Sequence, residues 1–282
     1  MPWAPELFSA PAVARLEEQH QRKLVDVPLW DGLMTGELDA LIGSFAGQPE
    51  VHHPVRGRIR GAQEFGAFVT ELNAWFGRLH VSVEEVDSVA AQRHGFDEVI
   101  RHVDGTTGRI GLPVATVADK RFDRRIKELR MYYSSWPLTG RHATRPPLLQ
   151  PDPELRESDV VADYQDALAS GVVEAIVAAF EPGAYAREPA GGRYIHRGHD
   201  GLRAFYEQLF SNGGGISLEH CAVLDDARAC ALEYNVVRWG RTELPPQAGL
   251  AVYVRGQSGK LVAARIYDDI EPPLPRVATA SM

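Results

Sequence analysis

Apolar and polar positions run through the same succession twice along this chain. Leu38, Leu41, Ile42 and Phe45 recur at helical spacing, which predicts an amphipathic helix with one buried face. A helix before it is expected to end near Gly36, as its counterpart ends near Gly171, because glycine suits the left-handed cap. A short strand leads to Pro54 or Pro189. A third helix is predicted over Ala62–Phe76 and again over His199–Phe210. Three or four strands rich in Val, Ile and Tyr follow, the last over Lys127–Ser135 and Lys260–Ile270. The order helix, helix, strand, helix, strands predicts an α+β fold, with a curved antiparallel sheet wrapped on about three helices. A sheet curled around a helix makes a cone with an open mouth, suited to an apolar ligand.

The two successions match residue by residue. Gly36, Ala40 and Phe45 correspond to Gly171, Ala175 and Phe180, and Pro54 to Pro189, all 135 apart. Gly61 and Phe68 correspond to Gly198 and Phe205 at 137, which places two extra residues between Pro189 and Gly198. Arg130, Tyr132 and Pro137 return to 135 with Arg265, Tyr267 and Pro272. An offset held across a whole domain indicates duplication. The expected domains are 1–137 and 158–282, each a cone-shaped α+β barrel. Residues 138–157 form the linker, where Pro146, Pro147, Pro151 and Pro153 favour extended backbone.

Composition narrows the function classes. The net charge of −8 and scattered arginines argue against a nucleic-acid surface. The two cysteines, Cys221 and Cys230, fit neither a zinc knuckle nor a redox pair and read as small core residues. No targeting segment or membrane-length apolar run is visible, so a soluble cytoplasmic protein is expected. Gly213-Gly-Gly215 follows a helix instead of opening one after a strand, so it reads as a loop and not a nucleotide fingerprint. No Gly-x-Ser-x-Gly elbow is present. No cofactor and no metal are expected; His196 and His199 lack an evident third ligand, and His52 and His53 diverge on a strand.

The signature Gly-x-x-x-Ala-x-x-x-x-Phe, a proline nine residues on, then Gly-x-x-x-(Leu/Phe)-x-x-Phe covers nearly all of both halves. It resembles the superfamily of nuclear transport factor 2, ketosteroid isomerase and the SnoaL-like polyketide cyclases, and its tandem copies also resemble epoxide hydrolases of polyether biosynthesis. Such a resemblance specifies fold better than function. It implies roles for the second copy. Tyr164, seven before Gly171, stands where the isomerase donates a hydrogen bond to an oxyanion. Glu188, before Pro189, stands at the general base, and Tyr206 at the supporting tyrosine. Asp268, three after Arg265, projects into the pocket. The isomerase has a second donor, a neutral carboxylic acid on a middle strand, where this chain has Ala251.

A carboxylate in a dry cone loses hydration and becomes a competent base near neutral pH, while a phenol opposite stabilises the resulting oxyanion. Glu188 and Tyr164 are therefore the expected base and donor, with Asp268 as the acid of an epoxide opening. Asp268 and Asp269 point to opposite sides of their strand, and parity with Ala264 and Ile266 places Asp268 inside. Tyr206, Tyr185, Glu233 and Asn235 are the expected substrate contacts in this copy. In the first copy Leu29, His53, Val69 and Tyr133 stand at the four matched positions. His53 and Tyr133 are retained as substrate contacts, with imidazole able to act near neutral pH. Glu98, His102 and Asp104 alternate on one strand and are expected to line a second cavity. The expectation is isomerisation, aldol-type cyclisation or epoxide opening of an apolar polyketide- or steroid-like metabolite. A non-catalytic binding protein predicts the same pocket with Glu188 turned outward or salt-bridged. An assembly module predicts a filled pocket and pairing through outer sheet faces, between the two domains or in a homodimer.

Overall fold

The computed structural model describes residues 38–273, apart from 91, 92, 106, 107, 124 and 193. The helix expected before Gly36, with Leu29 on it, lies outside the described residues, as does Arg193. The chain divides into two units, one ending at Arg141 and one starting at His142.

In the first unit, α1 (Leu38–Gly43) precedes β1 (Glu50–His53), β2 (Gly57–Arg60) and α2 (Ala62–Arg78). Strands β3 (Ser82–Ala90), β4 (His94–Gly105), β5 (Gly108–Lys120) and β6 (Ile126–Tyr132) follow, then a single turn, α3 (Trp136–Thr139). The second unit repeats this: α4 (Asp159–Ser170), α5 (Val173–Ala178), β7 (Phe180–Arg187), β8 (Ile195–Arg197), α6 (Gly198–Leu209), β9 (Ile216–Asp225), β10 (Ala229–Trp239), β11 (Thr242–Arg255) and β12 (Leu261–Tyr267). The strand orders, β2-β1-β6-β5-β4-β3 and β8-β7-β12-β11-β10-β9, are the same. The sheets are mixed, not wholly antiparallel as expected. The strand before the proline comes off a helix and runs parallel beside the last strand, β1 on β6 and β7 on β12.

The duplication extends to register. Ala118 pairs with Leu129 and Tyr253 with Ala264; Asp97 pairs with Thr116 and Leu232 with Ala251, every match 135 apart. The irregularity between Glu85 and Asp87 recurs opposite Glu233 and Tyr234. Val51 pairs with Ile59, whereas Ala186 pairs with His196, which puts the two extra residues where the sequence indicated. β-bulges are kept within families, so an irregularity at matched positions fits duplication of one ancestral unit.

Each sheet has one helix-facing surface. On α2, Phe65, Phe68, Val69, Leu72 and Phe76 share a stripe and bury it against Val99, Leu112 and Val114. Phe45 packs edge-on against Phe65 at 5.3 Å. In the second unit, α4 ends on Gly171 at φ 73°, the left-handed cap expected there. Its core joins Tyr164, Phe180, Leu202 and Tyr206 to Cys230, Leu232, Tyr234, Ala251, Tyr253 and Ala264 of the sheet. The proline-rich segment is a strap on the second unit and not a free tether. Asp152 N–H donates to His220 O, Ala248 N–H to Arg145 O, and Asn235 Nδ2 to Leu149 O. No described helix is long and apolar enough to cross a membrane.

Candidate functional site

The helix-facing surface of the second unit gathers a network of tyrosines around one carboxyl. Helix α4 presents Tyr164, α6 presents Tyr206, and the two hydroxyls lie 2.8 Å apart. The Tyr164 ring packs on Tyr253 of β11 at 5.1 Å and edge-on against Phe180 at 5.7 Å. Gln165 Nε2 donates to the Tyr253 hydroxyl at 2.8 Å. Tyr234 of β10 donates to Asp268 Oδ2 at 3.1 Å.

Burial governs the proton affinities here. It pushes the Tyr164 phenol up to about 12, partly offset by the hydrogen bond from Tyr206. Burial, with neighbouring phenols, pushes Tyr206 and Tyr253 well above the ordinary tyrosine value. Tyr164 is therefore the more acidic partner of its pair and the better donor to a developing oxyanion when Tyr206 donates to it. Burial also raises the Asp268 carboxyl to about 6, against the stabilising hydrogen bond from Tyr234; adjacent Asp269 adds to the rise. Asp269 points to the other side, accepting from His142 Nδ1 at 2.9 Å and Ala143 N–H at 2.8 Å.

The two units differ in burial along their last strands. Met131 and Tyr133 are buried, whereas their counterparts Ile266 and Asp268 keep accessible surface although Asp268 lies deep in its unit. Thr116 and Val114 of the first unit become Ala251 and Gly249. The helix-facing surface of β12 thus keeps partial exposure at Ile266 and Asp268 where that of β6 is closed, while the Tyr234 ring takes the space over Gly249.

Residues 161–264 match the sequence model of the SnoaL-like domain. The second unit is a SnoaL-like domain. The first unit, with the same strand order and register, completes a tandem pair of this fold. Similar solved structures include an uncharacterized cystatin-fold protein from Novosphingobium aromaticivorans: 16% identity, 38% of this chain and 93% of that one, TM-score 0.33. A putative polyketide cyclase from Sinorhizobium meliloti shares 18% identity over 39% of this chain and 94% of its own, TM-score 0.32. An epoxide hydrolase/cyclase-like enzyme of pyran ring formation in salinomycin shares 20% over 38% and 86%, TM-score 0.33. No curated protein matches the chain.

Within the SnoaL-like domain the remaining candidates separate. Glu188 lies on the side of Ala184 and Ala186, but 32% of its side chain is exposed, and His196 Nε2 meets its Oε1 at 2.7 Å. His196 also stacks on Phe205 at 4.1 Å. His199 donates to Phe180 O at 3.0 Å. Tyr185, Glu233 and Asn235 do not line this site. Tyr185 alternates with core residues Ala184 and Ala186 and lies under Arg197; Glu233 and Asn235 alternate with Leu232, Tyr234 and Val236. All three occupy the opposite face of the sheet.

In the first unit His53 and Tyr133 do meet, with His53 Nε2 and the Tyr133 hydroxyl at 3.2 Å. His53 Nδ1 accepts the N–H groups of Val55 and Arg56, so the ring proton sits on Nε2. That tautomer leaves no free lone pair, which removes His53 as a base. Beside Tyr133 lies Arg101, whose guanidinium is pushed down to about 10 by burial. Glu98, His102 and Asp104 alternate with core-facing Val99 and Arg101 and lie on the outer face, not along a cavity. Glu50, His52 and Glu128, also on the outer face, bring ligand atoms within 4.8 Å of one another. Arg58 and Arg130 already bind those carboxylates, supplying the positive charge a metal would bring. The residues that sequence missed are Tyr234, Tyr253, Gln165 and His196. For Tyr234 the available signal was the glycine at 249, which has meaning only once the strand register is known.

Proposed function

We propose that the second unit is a cofactor-independent acid–base catalyst acting on an apolar polyketide- or steroid-like molecule. The observation that carries this reading is Asp268: a deep carboxyl, raised toward neutral pH and still accessible, within a network of buried phenols. Asp268, and not the partly exposed, His196-paired Glu188, acts as the base. It takes a proton from the carbon beside a carbonyl. The electron pair moves onto the carbonyl oxygen, and Tyr164, polarised by Tyr206, donates to that oxyanion. Protonated Asp268 then returns the proton at a second carbon, giving isomerisation, or the enolate carbon attacks another carbonyl, giving cyclisation. With an epoxide, the protonated carboxyl delivers its proton to the ring oxygen as the C–O bond breaks, a water or substrate hydroxyl bonds to the ring carbon, and that nucleophile's proton passes to solvent.

Membership of the SnoaL-like family supports a small-molecule tailoring role. The Glu188–His196 pair favours a second reading, capture of a hydrophobic metabolite without turnover, because that reading expects Glu188 to be salt-bridged. Deuterium exchange at the α-carbons of 2-tetralone in D2O, followed by NMR, separates them. The acid–base reading expects exchange faster than with Asp268→Asn, climbing with pH and levelling off above about 6, the value of the Asp268 carboxyl. Identical rates for the two proteins, with 2-tetralone and in the hydrolysis of styrene oxide, would leave only the binding role.

A further inference from the structure

Tyr234 reaches across its sheet in a way the first unit does not attempt. Its partner across the ladder is Gly249 on β11, and the carboxyl it meets belongs to the segment after β12. Two strand spacings span about 10 Å, so a side chain on β10 bridges them only by lying flat over β11. A Cβ at residue 249 would fall 2.4 Å from Tyr234 Cε2 and 3.0 Å from its hydroxyl oxygen. Glycine is therefore required for the phenol to take this path. At the same register the first unit pairs Val99 with Val114, and the residue in place of Asp268, Tyr133, turns to His53. Tyrosine, glycine and aspartate in one unit replace valine, valine and tyrosine in the other.

We infer that Tyr234, admitted by Gly249, is a positioning residue for Asp268: its hydroxyl orients the carboxyl and favours the charged form that removes the substrate proton. This rests on Asp268 being the acid–base group. Several titratable groups face Asp268. Tyr234 comes from β10, and Asp269 with its partner His142 from behind; Tyr253 of β11 and Tyr164 of α4 stand next to Tyr234, and Tyr206 of α6 beyond them on Tyr164. Glu188 with His196 stands at the end of β7, the position whose first-unit counterpart touches that of Asp268. Among the described residues, the donors to Asp268 are the Tyr234 hydroxyl and the Ile270 backbone N–H. A hydroxyl donating to a carboxylate stabilises its ionised form, so removing it moves the titration upward.

The test uses the full chain with carbon-13 in the aspartate carboxyls and needs no substrate; Asp268→Asn assigns the signal. The wild-type Asp268 resonance is expected to titrate near pH 6. In Tyr234→Phe its midpoint rises by on the order of one pH unit, a tenfold change in ionisation. The double variant Tyr234→Val with Gly249→Val installs the pair that the first unit tolerates at this register. It gives the same rise with amide-exchange protection of β10–β12 retained. An unchanged midpoint in both variants overturns the role of Tyr234 and leaves Asp268 as the acid–base group. A wild-type midpoint near 4 overturns both.

Discussion

Asp268→Asn lowers turnover by about 10²–10⁴-fold, the span associated with losing a positioned general acid or base. The same substitution makes the second unit more stable above pH 6. The folded chain holds the Asp268 proton up to about 6, and the unfolded chain releases it near 3.8. Folding therefore favours the protonated carboxyl. Its contribution to stability is complete below 3.8, declines as pH rises, and is lost above 6. An amide has no charge to bury and still accepts from Tyr234, so the gain at pH 8 is at most about 3 kcal/mol, with none at pH 4. Activity assays with melts at the two pH values check both halves. Loss of stability at both pH values would make Asp268 a structural residue.

Phe180→Ala destabilises the second unit by about 3–5 kcal/mol. Phe180 is fully buried at the start of β7, and its ring supports Tyr164 edge-on. Truncation leaves a void bounded by α4 and the sheet, and α4 cannot close on it without carrying Tyr164 away from Tyr206. Denaturant midpoints, with hydrogen exchange on β7 and β12, measure the cost. Phe45→Ala, at the matched buried position against Phe65, carries a similar penalty in the first unit. Losses below about 1 kcal/mol would show that neither ring anchors its core.

The repeat was legible in the sequence because the offset of 135 follows from backbone-determining residues: glycines at caps, prolines at strand ends and phenylalanines under helices. Parity also placed Asp268 and Asp269 on opposite faces, because the strand before them runs unbroken from Ala264. Alternation put Glu233 and Asn235 on one face of their strand but did not say which. Strand β10 is buried on both faces over Ala229–Val236, so alternation of polar and apolar residues carries no contrast there. Tyr185 was misplaced for a related reason: its neighbours Ala184 and Ala186 are too small to mark the core side. The Tyr234–Asp268 contact was illegible because it depends on which residue of β11 lies between them, a fact of register and not of composition. The Glu188–His196 contact was illegible for the same reason: His196 stands where the first unit has Ile59, at the matched register position opposite Ala186.

Outer-face pairing between the two units, or between two copies of the chain, remains a proposal of the same standing as the binding role; light scattering of the purified chain addresses the second. The claim beneath all of these readings is that small molecules enter against the phenols of the second unit. Carbon-13 labelling of tyrosine rings, with titration of neutral aromatic ketones and phenols such as 2-tetralone and 2-naphthol, tests it directly. The account predicts shifts at Tyr164, Tyr206 and Tyr234, with Tyr133 and Tyr185 still. Shifts confined to Tyr133 or Tyr185, or no response from any ring across the set, would contradict it.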